Sequence, residues 1–191
     1  MSRIPTVVFG GSFDPIHKGH IALATEVCRR GLAAEVWFMV SPLNPHKEGK
    51  DITPEDVRLQ MTKSALAGNP YFKACDFEYF MPRPSYTVNT LEALSVACPD
   101  REFILLIGAD NWRNFHKWYR WETILSQYRI IVYPRGDEQP PQLPEGVVWL
   151  PAPLYDISST MVREAVARGE EISSLVPAAV DEFIKEHSLY G

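Results

Sequence analysis

Two histidines, His17 and His20, follow a glycine turn near the start of the chain and are the side chains best suited to chemistry. The turn begins at Gly10 and Gly11, directly after the apolar residues 6–9, and a helical pattern starts just beyond it. A strand, a glycine turn and a helix start together form an anion site, because unpaired backbone N–H groups and the positive helix end point to one place. Residues three apart share one face of a helix, so we expect both rings to face that anion.

Three hydroxyl side chains at 158–160, with Arg163 one turn of helix beyond them, form a second candidate anion site. Taken alone, this segment would be a helix N-cap beside a surface arginine, just as two glycines after a strand are often only a turn. The spaced histidine pair and Asp14-Pro15 in the first segment favour function instead. Hydroxyls, a guanidinium and helix-start N–H groups all bind phosphate oxygens, so the two segments together predict a nucleotide-phosphate site.

Gly108 and Asp110 end a continuous apolar run at 103–107. A glycine lets a ligand approach the backbone closely, and a carboxylate beside it can bind sugar hydroxyls. The alternative is a turn glycine followed by an N-cap aspartate.

The elements that must position these residues alternate between strand and helix. We predict strands at residues 6–9, 35–40, 71–78, 103–107, 129–133 and 147–150. Helical patterns lie between them, the first ending at Gly31 and the second beginning with Thr53 as N-cap, and two more follow the last strand. Repeated βα units imply an α/β fold with a doubly wound parallel sheet, in which ligands bind beyond the carboxyl ends of the strands.

Composition limits the class of protein. A chain of 191 residues, 46% of them hydrophobic, suits one domain spanning residues 1–191 with a sizeable core. The net charge of −5 argues against nucleic-acid and acidic-membrane partners, and no apolar run reaches the ~20 residues of a membrane span. Cys28, Cys75 and Cys98 are widely spaced, which is typical of reduced thiols in a cytoplasmic protein. A homo-oligomer is compatible with this composition.

Residues 10–20 read Gly-Gly-Ser-Phe-Asp-Pro-Ile-His-Lys-Gly-His, which resembles the signature of the nucleotidylyltransferase superfamily. In that superfamily the HxGH motif binds the phosphates of a nucleoside triphosphate, and residues 157–163 resemble its ISSTxxR motif. The chain resembles bacterial nicotinate mononucleotide adenylyltransferases from end to end. The resemblance implies a Rossmann-like nucleotidylyltransferase fold and a reaction in NAD biosynthesis, in which ATP and nicotinate mononucleotide give nicotinate adenine dinucleotide and pyrophosphate.

The resemblance also implies roles for individual residues. His17, His20 and Arg163 are predicted to be catalytic, acting on phosphate charge rather than as bases, because the attacking phosphate is already an anion. Asp110 would hold either the ribose or, through water, a Mg²⁺ that enters with ATP and has no direct protein ligand. The predicted ATP-binding residues are Gly10, Gly11, Ser12, Phe13, Lys47, Gly108, Asp110, Ile157, Ser158, Ser159, Thr160 and Arg163.

A separate group is predicted to bind the mononucleotide. Trp118 is favoured as the face on which the flat, cationic pyridinium ring stacks, while Trp112 and Trp121 are as easily explained by core packing. Backbone N–H groups near Thr87 and Tyr119 would bind the carboxylate of the ring. The predicted acceptor residues are Ser85, Tyr86, Thr87, Trp118, Tyr119 and Arg135.

The chain departs from the family at Asn89, where an aspartate is usual. Other functions remain as alternatives. An adenylyltransferase for nicotinamide mononucleotide or phosphopantetheine is the nearest, although the phosphopantetheine enzymes lack the segment Pro-Ser-Tyr-Thr at 84–87 and a counterpart of Trp118. A non-catalytic nucleotide-binding module would not need both histidines and the hydroxyl–arginine motif. A tRNA synthetase fragment disagrees with the negative charge.

Overall fold

Six parallel strands form one sheet at the centre of the molecule. The structure is a computed structural model, and it describes residues 2–42, 52–134, 139–151 and 156–191. Every strand pair is parallel, and the order is β3-β2-β1-β4-β5-β6. The predicted doubly wound sheet is therefore confirmed, and its order reverses between β1 and β4. The strands are β1 (Ile4–Gly11), β2 (Glu35–Val40), β3 (Phe72–Cys75), β4 (Arg101–Gly108), β5 (Arg129–Tyr133) and β6 (Val147–Trp149).

Helices cover both faces of this sheet. The α-helices are α1 (Lys18–Arg29), α2 (Glu55–Leu66), α3 (Thr87–Ala97), α4 (Ala109–Arg113), α5 (Trp121–Gln127), α6 (Ser159–Ala167) and α7 (Ala178–Glu186). Two short 3₁₀ helices, Phe77–Phe80 and Phe115–Lys117, lie before α3 and α5. Across the described residues, no helix is long and apolar enough to cross a membrane.

The inner residues of β1, β2, β4 and β5 are buried and mostly apolar because both faces of the sheet are covered, whereas charged residues lie at strand ends such as Glu35, Arg101 and Arg129. Successive side chains of a strand point to opposite faces, so Val7 and Phe9 join the core beneath α1, α2, α6 and α7. Val8 joins the opposite core, together with Leu91 of α3 and Ile124 of α5. The carboxyl ends of β1 and β4 are thus held rigidly from both sides.

Several predicted boundaries are wrong. Strands β1 and β4 extend beyond the predicted residues 6–9 and 103–107, and β6 ends one residue before the predicted 150. The strand predicted at 71–78 ends at Cys75, since β2, its pairing partner, ends at Val40 and the last paired residues are Met39 and Cys75. The second helix begins at Glu55 after Pro54, and Thr53 is not its N-cap.

Other local predictions are confirmed. Gly31 has φ +67 directly after the C-cap of α1, which is the left-handed conformation that ends a helix. The three cysteines are free thiols, and burial raises the pKa of both Cys28 and Cys75.

Candidate active site

The candidate site lies where the sheet order reverses. The β1–α1 turn, residues 12–17, follows β1, and Asp110 follows β4 on the neighbouring strand. Ligands of doubly wound sheets bind in the crevice at this reversal, beyond the carboxyl ends of the strands. The structure therefore brings two of the three predicted chemical segments to the position where this fold binds nucleotides.

The two glycines before the turn differ in their surroundings. A Cβ on Gly11 would lie 3.0–3.2 Å from the ring of Phe13, whose own backbone has φ +47. A Cβ on Gly10 would meet nothing within 4 Å, and Gly10 is exposed. A side chain at Gly11 would thus crowd the ring of Phe13, whereas Gly10 borders open space at the end of β1.

The start of α6 is bound directly to the turn. Arg163 donates from Nη1 to the carbonyl oxygen of Asp14 at 2.6 Å and from Nη2 to Oγ1 of Thr160 at 3.2 Å. The hydroxyl of Ser159 donates to the carbonyl of Pro15 at 2.9 Å, and the Asp14–Pro15 peptide is cis. The two predicted phosphate motifs therefore meet, although they lie nearly 150 residues apart in the chain.

Helix α6 begins as the sequence predicts. Ser158 is its N-cap, and its Oγ accepts a hydrogen bond from the backbone of Met161 at 3.2 Å. Ile157 is half-buried and packs against the larger core, while Thr160 is exposed at the surface. The segment 157–160 is thus anchored in the core at Ile157 and exposed to solvent at Thr160.

The two histidine rings are stacked on one another. Their centroids lie 3.6 Å apart with 23° between the planes, and the ring of Phe13 meets His20 edge-on at 5.0 Å. The backbone N–H of His17 donates to Nδ1 of His20 at 3.2 Å. Because Nδ1 is an acceptor, the neutral ring carries its hydrogen on Nε2. His20 therefore has a single defined donor at the opposite edge of its ring.

The helix-start N–H groups are more occupied than the sequence suggests. His17 is the N-cap of α1 rather than part of its first turn, and the N–H of Lys18 donates to the carbonyl of Leu175 at 2.9 Å. The ammonium group of Lys18 also binds this segment, at the carbonyl of Ser173. These contacts attach α1 to the segment before α7. The sequence predicts that the N–H groups at the start of α1 are unpaired, and this is wrong for Lys18.

At β4, Gly108 is the N-cap of α4 and Asp110 lies in its first turn. The Oδ1 atom of Asp110 is buried, and its backbone carbonyl accepts a bond from the side chain of Asn114 at 3.3 Å. The structure is compatible with both roles considered for Asp110. In the part of the chain that the structure describes, no group of three or more His, Cys, Asp or Glu side chains is placed to hold a metal ion.

The two predicted halves of the acceptor site also meet. The rings of Tyr86 and Tyr119 lie 4.7 Å apart between centroids, and both side chains are largely exposed. Tyr86 precedes α3, whose first residue is Thr87, and no side-chain hydrogen bond caps this helix start. A bidentate ion pair between Arg120 and Glu92 of α3, at 2.8–2.9 Å, fastens the second half to the same helix.

Three tryptophans surround the buried ring of Phe115. Phe115 contacts Trp112 in a stacked arrangement at 5.1 Å, Trp118 at 5.4 Å and Trp121 edge-on at 6.2 Å. All three tryptophans are partly buried against the smaller core. Trp112 and Trp121 also line a cavity of about 400 Å³ that Trp118 does not line. Trp118 precedes the exposed Tyr119 in the chain, and its selection as the acceptor-binding tryptophan stays a prediction.

Sequence reasoning missed two buried acids that hold these loops. Glu78 accepts from Thr90 at 2.8 Å and from Ser85 at 3.4 Å, and burial raises the pKa of its carboxyl above the usual value. Asp14 accepts from the hydroxyl of Tyr190 at 2.6 Å. Burial and this bond raise the pKa of the Tyr190 phenol. No local pattern identifies these pairs, because each depends on a residue elsewhere in the chain.

The described contacts say nothing about the roles of three residues that the sequence singles out. Lys47 and Arg135 lie outside the described residues. Asn89 lies in the first turn of α3 and is half-buried, and nothing in the structure explains why it replaces the usual aspartate.

Comparison with known proteins agrees with this geometry. The profile of the cytidylyltransferase-like family matches residues 8–165. The chain belongs to this family. A relative in Bacteroides fragilis, named "Probable nicotinate-nucleotide adenylyltransferase", is 46% identical over 182 residues, covering 94% of this chain and 90% of that protein. A relative of the same name in Dehalococcoides mccartyi is 37% identical and covers 100% of this chain and 98% of its own length.

Solved structures show the same fold at lower identity. The nicotinic acid mononucleotide adenylyltransferase of Plasmodium falciparum, complexed with NaAD, aligns with a TM-score of 0.79 at 18% identity and covers 98% of both chains. The structure of that protein complexed with APC gives a TM-score of 0.77. These alignments support the Rossmann-like nucleotidylyltransferase fold that the motifs predict.

Proposed function

We propose that the protein is a nicotinate-nucleotide adenylyltransferase, which joins ATP and nicotinate mononucleotide to give nicotinate adenine dinucleotide and pyrophosphate in NAD biosynthesis. The observation that carries this is the direct contact between the two phosphate motifs, through Arg163 and Ser159, at the reversal of the sheet. Two further observations support the choice of acceptor. The rings of Tyr86 and Tyr119 pair at the predicted acceptor site, and the related proteins bear the name nicotinate-nucleotide adenylyltransferase.

The reaction is a displacement at the α-phosphorus of ATP. An oxygen of the mononucleotide's 5′-phosphate forms a new bond to the α-phosphorus. The bond between the α-phosphorus and the oxygen that bridges it to the β-phosphorus breaks, and pyrophosphate leaves with that electron pair. The nucleophile is already ionised, so catalysis consists of positioning and charge stabilisation. His20 donates from Nε2 to a reacting phosphate oxygen, and His17, stacked on it, lies on the same side of the turn.

The remaining predicted residues hold the two substrates. Gly10, Ser12, Thr160 and Arg163 bind the triphosphate, and Lys47 adds a positive charge there. Mg²⁺ enters with ATP, because phosphate oxygens are the hard ligands that it prefers. Trp118 stacks on the pyridinium ring, and Arg135 binds the acceptor's phosphate. One domain spanning residues 1–191 performs the whole reaction, in the cytoplasm, where the three free cysteines stay reduced.

The decisive experiment is a pyrophosphate-release assay with ATP and each mononucleotide in turn. Backbone N–H donors favour a ring carboxylate over an amide, since the amide would bring a donor against a donor at a cost of ~1–3 kcal/mol. We expect kcat/KM for nicotinate mononucleotide to exceed that for nicotinamide mononucleotide by roughly tenfold to a hundredfold. Equal efficiencies would contradict this selectivity, and no release with either compound would overturn the proposed function.

A further inference from the structure

Arg58 is the largest charged side chain that the fold buries completely. It lies in the first turn of α2 and is 1% exposed. Charged side chains are rarely buried, because the free energy lost on leaving water must be recovered by hydrogen bonds inside the protein. The acceptors that compensate this guanidinium therefore indicate what it is for.

All of its observed acceptors are backbone carbonyls around the candidate ATP site. Nη1 donates to the carbonyl of Ser12 at 2.6 Å and to that of Ser41 at 3.0 Å. Nε donates to the carbonyl of Thr53 at 2.8 Å. One side chain thus joins the β1–α1 turn, the residue after β2 and the segment before α2.

The two other segments also bind the turn directly. The N–H of Ser41 donates to the carbonyl of Gly11 at 2.9 Å. The N–H of Thr53 donates to Oδ2 of Asp14 at 3.3 Å. Arg58 therefore closes a ring of hydrogen bonds that passes through Gly11, Ser12 and Asp14, and loss of its guanidinium would loosen the first half of the β1–α1 turn.

The geometry depends on a guanidinium. Arginine presents five N–H donors in a rigid plane, whereas lysine presents a compact ammonium on a flexible stem. A lysine at this position would keep the positive charge but could not reach three carbonyls in three directions. Charge and positioning can therefore be separated by substitution.

We propose that Arg58 is a positioning residue for ATP, whose buried guanidinium holds the β1–α1 turn in the conformation that binds the triphosphate. Arg58 acts through the backbone of Ser12 and does not touch the substrate. Its bonds run to Ser12, Ser41 and Thr53, so we expect its effect to fall on the ATP half of the site. The inference rests on the proposed function, since it assigns the turn to ATP.

The test is Arg58→Lys, measured by KM for each substrate and by thermal unfolding. We expect KM for ATP to rise about tenfold or more, because the carbonyl of Ser12 loses the charge-assisted hydrogen bond that fixes the turn. KM for nicotinate mononucleotide should stay within about twofold of the wild type, since the acceptor loops are held by other contacts. Arg58→Gln, which keeps a planar donor without the charge, should change KM for ATP in the same direction.

Two variants on the same helix serve as controls. Leu66→Ala removes a buried side chain from the opposite end of α2 to Arg58, and it should lower Tm while KM for ATP stays unchanged. Lys63→Met removes an exposed positive charge from α2 and should change neither quantity. Together they separate general destabilisation and net charge from the effect on the turn.

Each outcome decides the proposal. A normal KM for ATP in Arg58→Lys, equal rises in both KM values, or failure of both Arg58 variants to fold would overturn it. Binding of a non-hydrolysable ATP analogue, measured by calorimetry, gives a readout without turnover. If the wild type binds the analogue but releases no pyrophosphate with either mononucleotide, the proposed function fails. The Arg58 proposal is then judged by the loss of analogue affinity alone.

Discussion

At Gly10 and Gly11, the same residue type meets two different requirements. Gly11 lies against the ring of Phe13, so an added side chain would press on that ring. Gly10 borders open space, and a side chain there would intrude only on a ligand. Substitutions at the two positions should therefore separate stability from binding.

For Gly10→Ala we expect Tm to change by no more than about 2 °C. KM for ATP should rise about tenfold, because the added methyl group occupies space next to the bound phosphates. Steady-state kinetics and thermal unfolding measure the two effects. Gly11→Ala is the matched control and should lower Tm through its contact with Phe13. An unchanged KM in Gly10→Ala would remove Gly10 from the ATP site.

His20→Ala should reduce kcat by roughly 10²–10³-fold, the usual cost of removing one preorganised donor to a transition state. The ring also accepts a bond from the backbone of His17, so thermal unfolding must be measured alongside turnover. A folded variant with near-normal kcat would exclude His20 from the mechanism.

Among the connecting elements, the 3₁₀ helix Phe77–Phe80 places a buried carboxyl beneath the acceptor loop. Burial raises the pKa of Glu78 above its usual value of 4.5. The folded state thus favours the neutral carboxyl, and this contribution to stability is present at low pH. It is lost as the pH rises through the raised pKa.

Glu78→Gln should therefore gain stability relative to the wild type as the pH rises. Glutamine keeps an oxygen that accepts from Thr90 but does not ionise. The difference in Tm, variant minus wild type, should become more positive as the pH rises from the usual carboxyl pKa of 4.5 toward neutrality. Thermal melts across this range measure it, and a difference that is independent of pH would show that Glu78 does not titrate as the structure indicates.

Across the whole molecule, the sequence predicts what is local. The alternation of strands and helices, the glycine turn after β1 and the helix start after the hydroxyl segment are each encoded within a few neighbouring residues, and the structure confirms them. Arg58 could not be predicted, because its acceptors are carbonyl groups that every residue carries. Tyr190 could not be predicted either, since its partner lies 176 residues away.

The bond between Tyr190 and Asp14 predicts a coupling between distant parts of the chain. Tyr190→Phe leaves a buried carboxylate with one donor fewer, at a cost of ~1–3 kcal/mol and a Tm lower by several degrees. Because Asp14 belongs to the β1–α1 turn, KM for ATP should rise as well. Tyr71→Phe, at a side chain that is 60% exposed, is the control. Equal Tm values for the two variants would contradict the prediction.

This bond also orders events during protein synthesis. Asp14 is synthesised 176 residues before the tyrosine whose hydroxyl it binds. Ser159 and Arg163, which bind the same turn, are also synthesised long after it. A nascent chain can therefore pair β1 with β2 early, but its nucleotide site stays incomplete until translation has passed residue 190.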